Sequence, residues 1–179
     1  FTDNELKFVY EYCKKNQVIL ISDEIYHGIE YGKRIKSMLN YGNKAIVINS
    51  FSKFFCMPGW RLGWAIIPKE LKKNFLKLSQ NLFISSGNVA QYSALKVFDS
   101  INELKEIVKV YHSTRNEVLK ILKKIPLIKF SEPQGSFYFY IDIHKTKLDS
   151  FKFVNKLMID TGVVLTPGID FDKKFGTRT

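Results

Sequence analysis

The sequence has 179 residues, 45% of them hydrophobic, enough to bury a sizeable core, and no run approaches the roughly 18 consecutive apolar residues of a membrane-spanning helix. Its net charge of +11 comes from 28 basic against 17 acidic residues, but the lysines are spread in pairs such as Lys14-Lys15, Lys72-Lys73, Lys123-Lys124 and Lys173-Lys174, with no basic stripe, so neither a nucleic-acid nor a membrane partner is expected. Cys13 and Cys56 are too few for a disulfide framework, no signal-peptide pattern is seen, and a reduced, cytoplasmic setting is the expectation.

In chain order, Thr2 and Glu5 stand at capping-box spacing, and Leu6, Val9, Tyr10 and Cys13 recur at helical spacing, which predicts a first helix over 5–13. Apolar, β-branched runs at 18–22, 45–50 and 62–67 read as three short buried strands. Pro68 opens a helix-rich stretch with a second helical run through Val89, Leu95 and Phe98. Leu104, Ile107, Val108, Tyr111, Val118 and Leu122 share one face of a long amphipathic helix over 102–124. Strands are expected near 127–130 and 136–143, where Phe137, Phe139 and Ile141 alternate with Tyr138, Tyr140 and Asp142. A helix over 150–160 and a strand at 163–166 follow, and there is no internal repeat.

The chemistry concentrates at two strand ends. The strand at 45–50 runs into Ser50-Phe51-Ser52-Lys53, and after the breaker cluster Met57-Pro58-Gly59 comes Arg61 in Gly59-Trp60-Arg61-Leu62-Gly63-Trp64. A lysine able to form an imine, bracketed by two hydroxyls and one guanidinium, suits a carbonyl cofactor that carries a phosphate. With each residue type at about one position in fifteen, this pattern arises by chance on the order of once in 10,000 to 100,000 positions, which sets Lys53 apart from an ordinary solvated lysine. The strand at 18–22 delivers Asp23-Glu24-Ile25-Tyr26 to a second such end. An isolated acid there would most often cap a turn, but the pairing of Asp23 with Tyr26 is more specific. In open α/β sheets ligands bind beyond the carboxyl ends of the strands. His27, His112 and His144 lack metal-ligand spacing, His27 reads as a loop position, and Cys56 reads as a packing residue.

These stretches, together with Pro133-Gln134-Gly135-Ser136-Phe137-Tyr138 and Thr166-Pro167-Gly168-Ile169-Asp170-Phe171, make the sequence resemble the class I and II aminotransferases of the fold type I pyridoxal phosphate group over essentially its whole length. The resemblance implies an α/β fold: residues 1–100 as the later part of a large cofactor-binding domain with a mostly parallel sheet and helices, and residues 101–179 as a smaller α+β C-terminal domain. It implies pyridoxal 5'-phosphate as cofactor, with Lys53 as the Schiff-base lysine. Asp23 would keep the ring nitrogen protonated, Tyr26 would hydrogen-bond the ring oxygen, and Ser50, Ser52 and Arg61 would hold the phosphate. Family members run longer, with a phosphate loop before the position of Phe1 and a substrate-carboxylate arginine three residues after that of Arg178, so a C-terminal portion or fragment is expected. The implied reaction is amino-group transfer between an amino acid and a 2-oxo acid, in a homodimer when complete. Alternatives are a same-fold β-elimination lyase acting on a sulfur amino acid, an inactive remnant, or half of an enzyme completed by a partner polypeptide.

Overall fold

A computed structural model describes residues 1–179 and divides them into two compact units, Phe1–Val110 with Gln134–Ser136, and Tyr111–Pro133 with Phe137–Thr179. Helix α1, Asp3–Lys15, starts at Thr2, whose hydroxyl accepts the Glu5 N–H at 3.3 Å while the Glu5 carboxylate accepts the Thr2 N–H at 2.6 Å. This is the capping box read from the sequence, and it satisfies two donors that a helix start leaves open.

Three strands follow in the first unit: β1 (Ile21–Asp23), β2 (Ile46–Ser50) and β3 (Gly63–Ile66), in the order β1-β2-β3. Strands β1 and β2 are parallel, with Ile21 opposite Ile46 and Asp23 opposite Ile48, whereas β3 runs antiparallel to β2, with Ser50 opposite Gly63. The expected mostly parallel sheet is thus mixed here. The loop from β2 to β3 reverses the chain without a crossover helix, and a parallel return would need one. Val47 on one face packs with Tyr10, Met38 and Ala45, so α1 covers that face. The other face leaves Ile21 and Ile48 exposed, at 59% and 41%.

Helix α2 (Lys72–Leu82) follows a 3₁₀ turn opened by Pro68, and α3 (Asn88–Val97) supplies Ala94 to a second core with Phe51 and Met57. Helix α4 spans Ile101–Leu122, as its periodicity predicts, and no helix is long and apolar enough to cross a membrane.

The second unit pairs β4 (Lys129–Phe130) with β5 (Ile141–Asp142) in antiparallel register and adds helix α5, Ser150–Thr161, which is N-capped by Asp149. Here the strands are shorter than the alternation at 136–143 predicts. Gln134–Ser136 belongs to the first unit, and Ser136 takes φ 60°, a left-handed backbone that a continuing strand cannot contain. Residues 163–166 form no ladder, and Val164 is 74% exposed; a β-branched run becomes a strand only where a neighbour accepts its hydrogen bonds.

Three carboxylates tie local structure to pH. Glu5 lies below its ordinary value of 4.5 because the Thr2 backbone N–H, then the Thr2 hydroxyl, bond to it. Asp149 lies below 3.8 through the Lys152 backbone N–H, and Asp142 through the His144 backbone N–H and then its ring. A pKa depressed on folding stabilises the fold fully above the unfolded value, and that contribution is lost as pH falls through the folded value. The melting temperature is therefore expected to gain nothing more from these groups above about pH 5 and to decline progressively below about pH 4.5. In Thr2→Ala the backbone N–H that bonds Glu5 remains and only the hydroxyl is lost, so the Glu5 part of that decline is expected to shrink without vanishing, and an acid limb of unchanged depth would exclude the Thr2 hydroxyl as a source.

Candidate functional site

Parallel β1 and β2 end on the same side, so Asp23 and Ser50 reach one edge of the sheet; because β3 returns antiparallel with Gly63 opposite Ser50, Arg61 and Leu62 lie at that edge as well. Topology alone thus gathers Asp23, Tyr26, Ser50, Ser52, Lys53 and Arg61, all within the first unit.

The loop carrying Lys53 is closed at its base by hydrogen bonds from Phe51 N–H to Leu62 O at 3.1 Å and from Met57 N–H to Phe51 O at 3.0 Å, with Cys56 N–H to Lys53 O at 3.1 Å inside it. Beneath it, Phe51 meets Trp64 and Phe55 with ring centroids 5.0 Å apart in each case, and Phe55 meets Phe98 at 5.5 Å. These rings form an apolar base under a polar loop, each tilted or edge-on contact adding roughly 0.5–1.5 kcal/mol. Lys53 is half-buried, with Nζ 5.9 Å from the centroid of the Tyr26 ring, inside the range at which an ammonium is attracted to an aromatic face.

Ser50 Oγ lies 2.9 Å from Ser52 Oγ and 3.1 Å from Leu62 O, and it accepts the Ser52 N–H at 3.0 Å, which holds both hydroxyls side by side. Arg61 takes φ 52°, a left-handed backbone uncommon for a residue other than glycine, and donates from its guanidinium to Pro58 O at 2.9 Å. The side chain is exposed and bonds to neither serine. Asp23 is exposed, and one of its oxygens accepts the Ile25 N–H at 3.1 Å in a tight turn. Two adjoining hydroxyls and a guanidinium with most of its donors turned to solvent form a donor set whose chemistry fits a phosphate, and a half-buried amine beside a phenol fits a carbonyl group.

Pattern reading missed two residues in this turn. Glu24 is 5% exposed, and one of its oxygens accepts from Ser22 Oγ at 3.1 Å, Ser37 Oγ at 3.0 Å and Met38 N–H at 2.7 Å. His27, expected as an indifferent loop residue, places Nδ1 3.3 Å from the other Glu24 oxygen. Cys56, expected to pack, is exposed at φ 54°. A further strand-like segment borders the site: Gly135 bridges Glu30, Tyr31 N–H donates to Gln134 O and Ser136 N–H to Ile29 O, each at 2.8 Å. A side chain at 135 would place its Cβ 2.7 Å from Ile29 O, so glycine permits this approach.

Known proteins resemble this chain in sequence and in fold. The chain is 35% identical over 176 residues to a valine–pyruvate aminotransferase of Mycobacterium tuberculosis, covering 96% of this chain and 45% of that one. It is 37% identical over 171 residues to a (5-formylfuran-3-yl)methyl phosphate transaminase of Methanocaldococcus jannaschii, covering 93% and 45%. A crystal structure of an aminotransferase from Mycobacterium tuberculosis superposes with a TM-score of 0.94 at 34% identity, over 99% of this chain and 47% of that one. The chain therefore spans about half the length of the relatives it matches. The family described as aminotransferase class I and II matches residues 1–176, almost the whole sequence, and with the strand-end lysine loop it places the chain in that family: this is a class I and II aminotransferase chain.

Proposed function

We propose that this chain forms part of a pyridoxal 5'-phosphate-dependent amino-acid aminotransferase, which moves an amino group between an amino acid and a 2-oxo acid. The observation that carries the reading is Lys53 held over Tyr26 at the sheet edge that also bears the Ser50–Ser52 hydroxyl pair and Arg61. Bound there, the cofactor would supply a reactive carbonyl and an electron-withdrawing ring. Lys53 Nζ would hold that carbonyl and, once released, carry a proton to and from the substrate α-carbon. Asp23 would retain a proton on the ring nitrogen, Tyr26 would donate to the ring oxygen, and Ser50, Ser52 and Arg61 would bind the phosphate.

The order of the motifs supports assigning the chain to the later part of such an enzyme, with residues 1–100 in the large cofactor-binding domain and 101–179 in the smaller one. A homodimer in the cytoplasm is what this reading implies for the complete protein. One further observation favours completion by additional polypeptide: β1 is an edge strand of a pair that is parallel, and Ile21 and Ile48 lie bare on one sheet face, although parallel strands are ordinarily covered on both faces.

Incubation with pyridoxal phosphate, reduction with borohydride and peptide mass mapping test the assignment. An adduct confined to Lys53 and absent from Lys53→Ala is the expected result. Adducts scattered over surface lysines would overturn it.

A further inference from the structure

We propose that Glu24 is a positioning residue for this site: its buried carboxylate fixes the turn that presents Asp23 and Tyr26 to Lys53. The inference rests on the cofactor reading above. Glu24 is placed to do this by both of its backbone polar groups and both of its carboxylate oxygens. Its N–H donates to Ile48 O at 2.8 Å, continuing the β1–β2 ladder one residue past Asp23, and its carbonyl accepts the His27 N–H at 2.9 Å, closing the turn over Ile25 and Tyr26. One carboxylate oxygen gathers the Ser22 hydroxyl from β1 with the Ser37 hydroxyl and the Met38 N–H at a 3₁₀ turn over Met38–Asn40, while the other faces His27 Nδ1.

Burying a carboxylate without partners would be strongly unfavourable, and this one is only 5% exposed, so its environment is built around three donors and one imidazole. The consequence falls on its neighbours. Asp23 and Tyr26 lie one residue before and two after Glu24, are themselves exposed and half-buried, and cannot be held in place by core packing alone. The carboxylate also ties the turn to Met38, which is buried with Tyr10, Ala45 and Val47, and so links the end of β1 to the core packed against the sheet.

The test compares Glu24→Ala, Glu24→Gln and Leu104→Ala with the unaltered protein. Leu104 is buried in α4 and is not among the hydrogen-bond or ion-pair partners of the Glu24 side chain, which are Ser22, Ser37, Met38 and His27, so Leu104→Ala reports general destabilisation. Two readouts are taken on protein that is folded at the working temperature: amide hydrogen exchange at residues 25–28 without cofactor, and the yield of borohydride-fixed pyridoxal phosphate at Lys53. Glu24→Ala is expected to speed exchange at 25–28 at least tenfold and to cut the Lys53 adduct at least fivefold. Glu24→Gln, whose amide oxygen can still accept from Ser22, Ser37 and Met38, is expected to stay within twofold on both. Leu104→Ala is expected to lower the melting temperature and leave the adduct yield unchanged.

If Glu24→Ala does not fold, the double variant Ser22→Ala/Ser37→Ala retains the carboxylate, removes two donors, and is expected to speed exchange at 25–28 threefold or more. A Glu24→Ala or double variant with unaltered exchange and adduct yield overturns the proposal and leaves the cofactor reading intact. An unaltered protein that takes no adduct at Lys53 overturns the cofactor reading, and the positioning role falls with it.

Discussion

Arg61→Ala is expected to reduce pyridoxal phosphate fixed at Lys53 by about 10- to 100-fold at limiting concentration, and to leave fixation of pyridoxal, which lacks the phosphate, unaltered. The magnitude follows from hydrogen bonds to a charged group, worth about 1.5–3 kcal/mol, with each 1.4 kcal/mol a factor of ten. Arg61→Lys keeps the charge and loses the planar fork, so it should fall between the two. The backbone adds a second, opposite effect. Arg61 takes φ 52°, where a side chain costs roughly 1–2 kcal/mol relative to glycine. Arg61→Gly should therefore abolish the preference for phosphate while raising stability by up to about 1 kcal/mol, offset in part by the greater freedom of the unfolded chain. Strain relieved together with lost binding would identify a residue held in an unfavourable conformation for the ligand's sake. Equal loss of pyridoxal and pyridoxal phosphate would instead show that Arg61 acts through the shape of the loop.

What the sequence makes legible is what is encoded within a few residues. The Thr2–Glu5 cap, α1 and the long α4 are stated by i, i+3 and i+4 relations, and the structure reproduces them. Sheet structure depends on remote partners and is read less well. The alternation at 136–143 predicts one strand, yet Ser136 takes φ 60° directly after the Gly135–Glu30 bridge, and only Ile141–Asp142 forms a ladder as the short β5. The direction of β3 is equally hidden, because Leu62–Ile67 has the same apolar pattern whichever way it runs. At the site, residue types at fixed spacing nominate Lys53, Ser50, Ser52 and Arg61, and the topology brings them to one edge. Glu24 escapes that reading because its partners Ser37 and Met38 lie thirteen and fourteen residues on, and only the fold brings them together.

The contact between the two strand ends predicts the largest loss of stability. Gly28, in the turn after Tyr26, takes φ +95°, and a Cβ there would stand 2.5 and 2.6 Å from ring carbons of Phe54, the residue after Lys53. One of those carbons is where the ring joins its stem, so the ring cannot clear the methyl by a small rotation of its far end. Forced overpacking costs about 1–3 kcal/mol and the left-handed backbone roughly 1–2 kcal/mol more, so Gly28→Ala is expected to destabilise the protein by about 2–5 kcal/mol in chemical denaturation. Gly32→Ala separates the two contributions, since Gly32 has φ +105° and nothing within 4 Å of its Cβ position. It should cost only the backbone part, about 1–2 kcal/mol. The difference between the variants measures how tightly the Tyr26 turn is pressed against the lysine loop. If both lose the same amount, Phe54 swings aside freely, and the spacing of Tyr26 and Lys53 owes nothing to that contact. If Gly28→Ala loses more, Phe54→Ala combined with Gly28→Ala should recover the excess, because removing the ring removes the collision and leaves the strain.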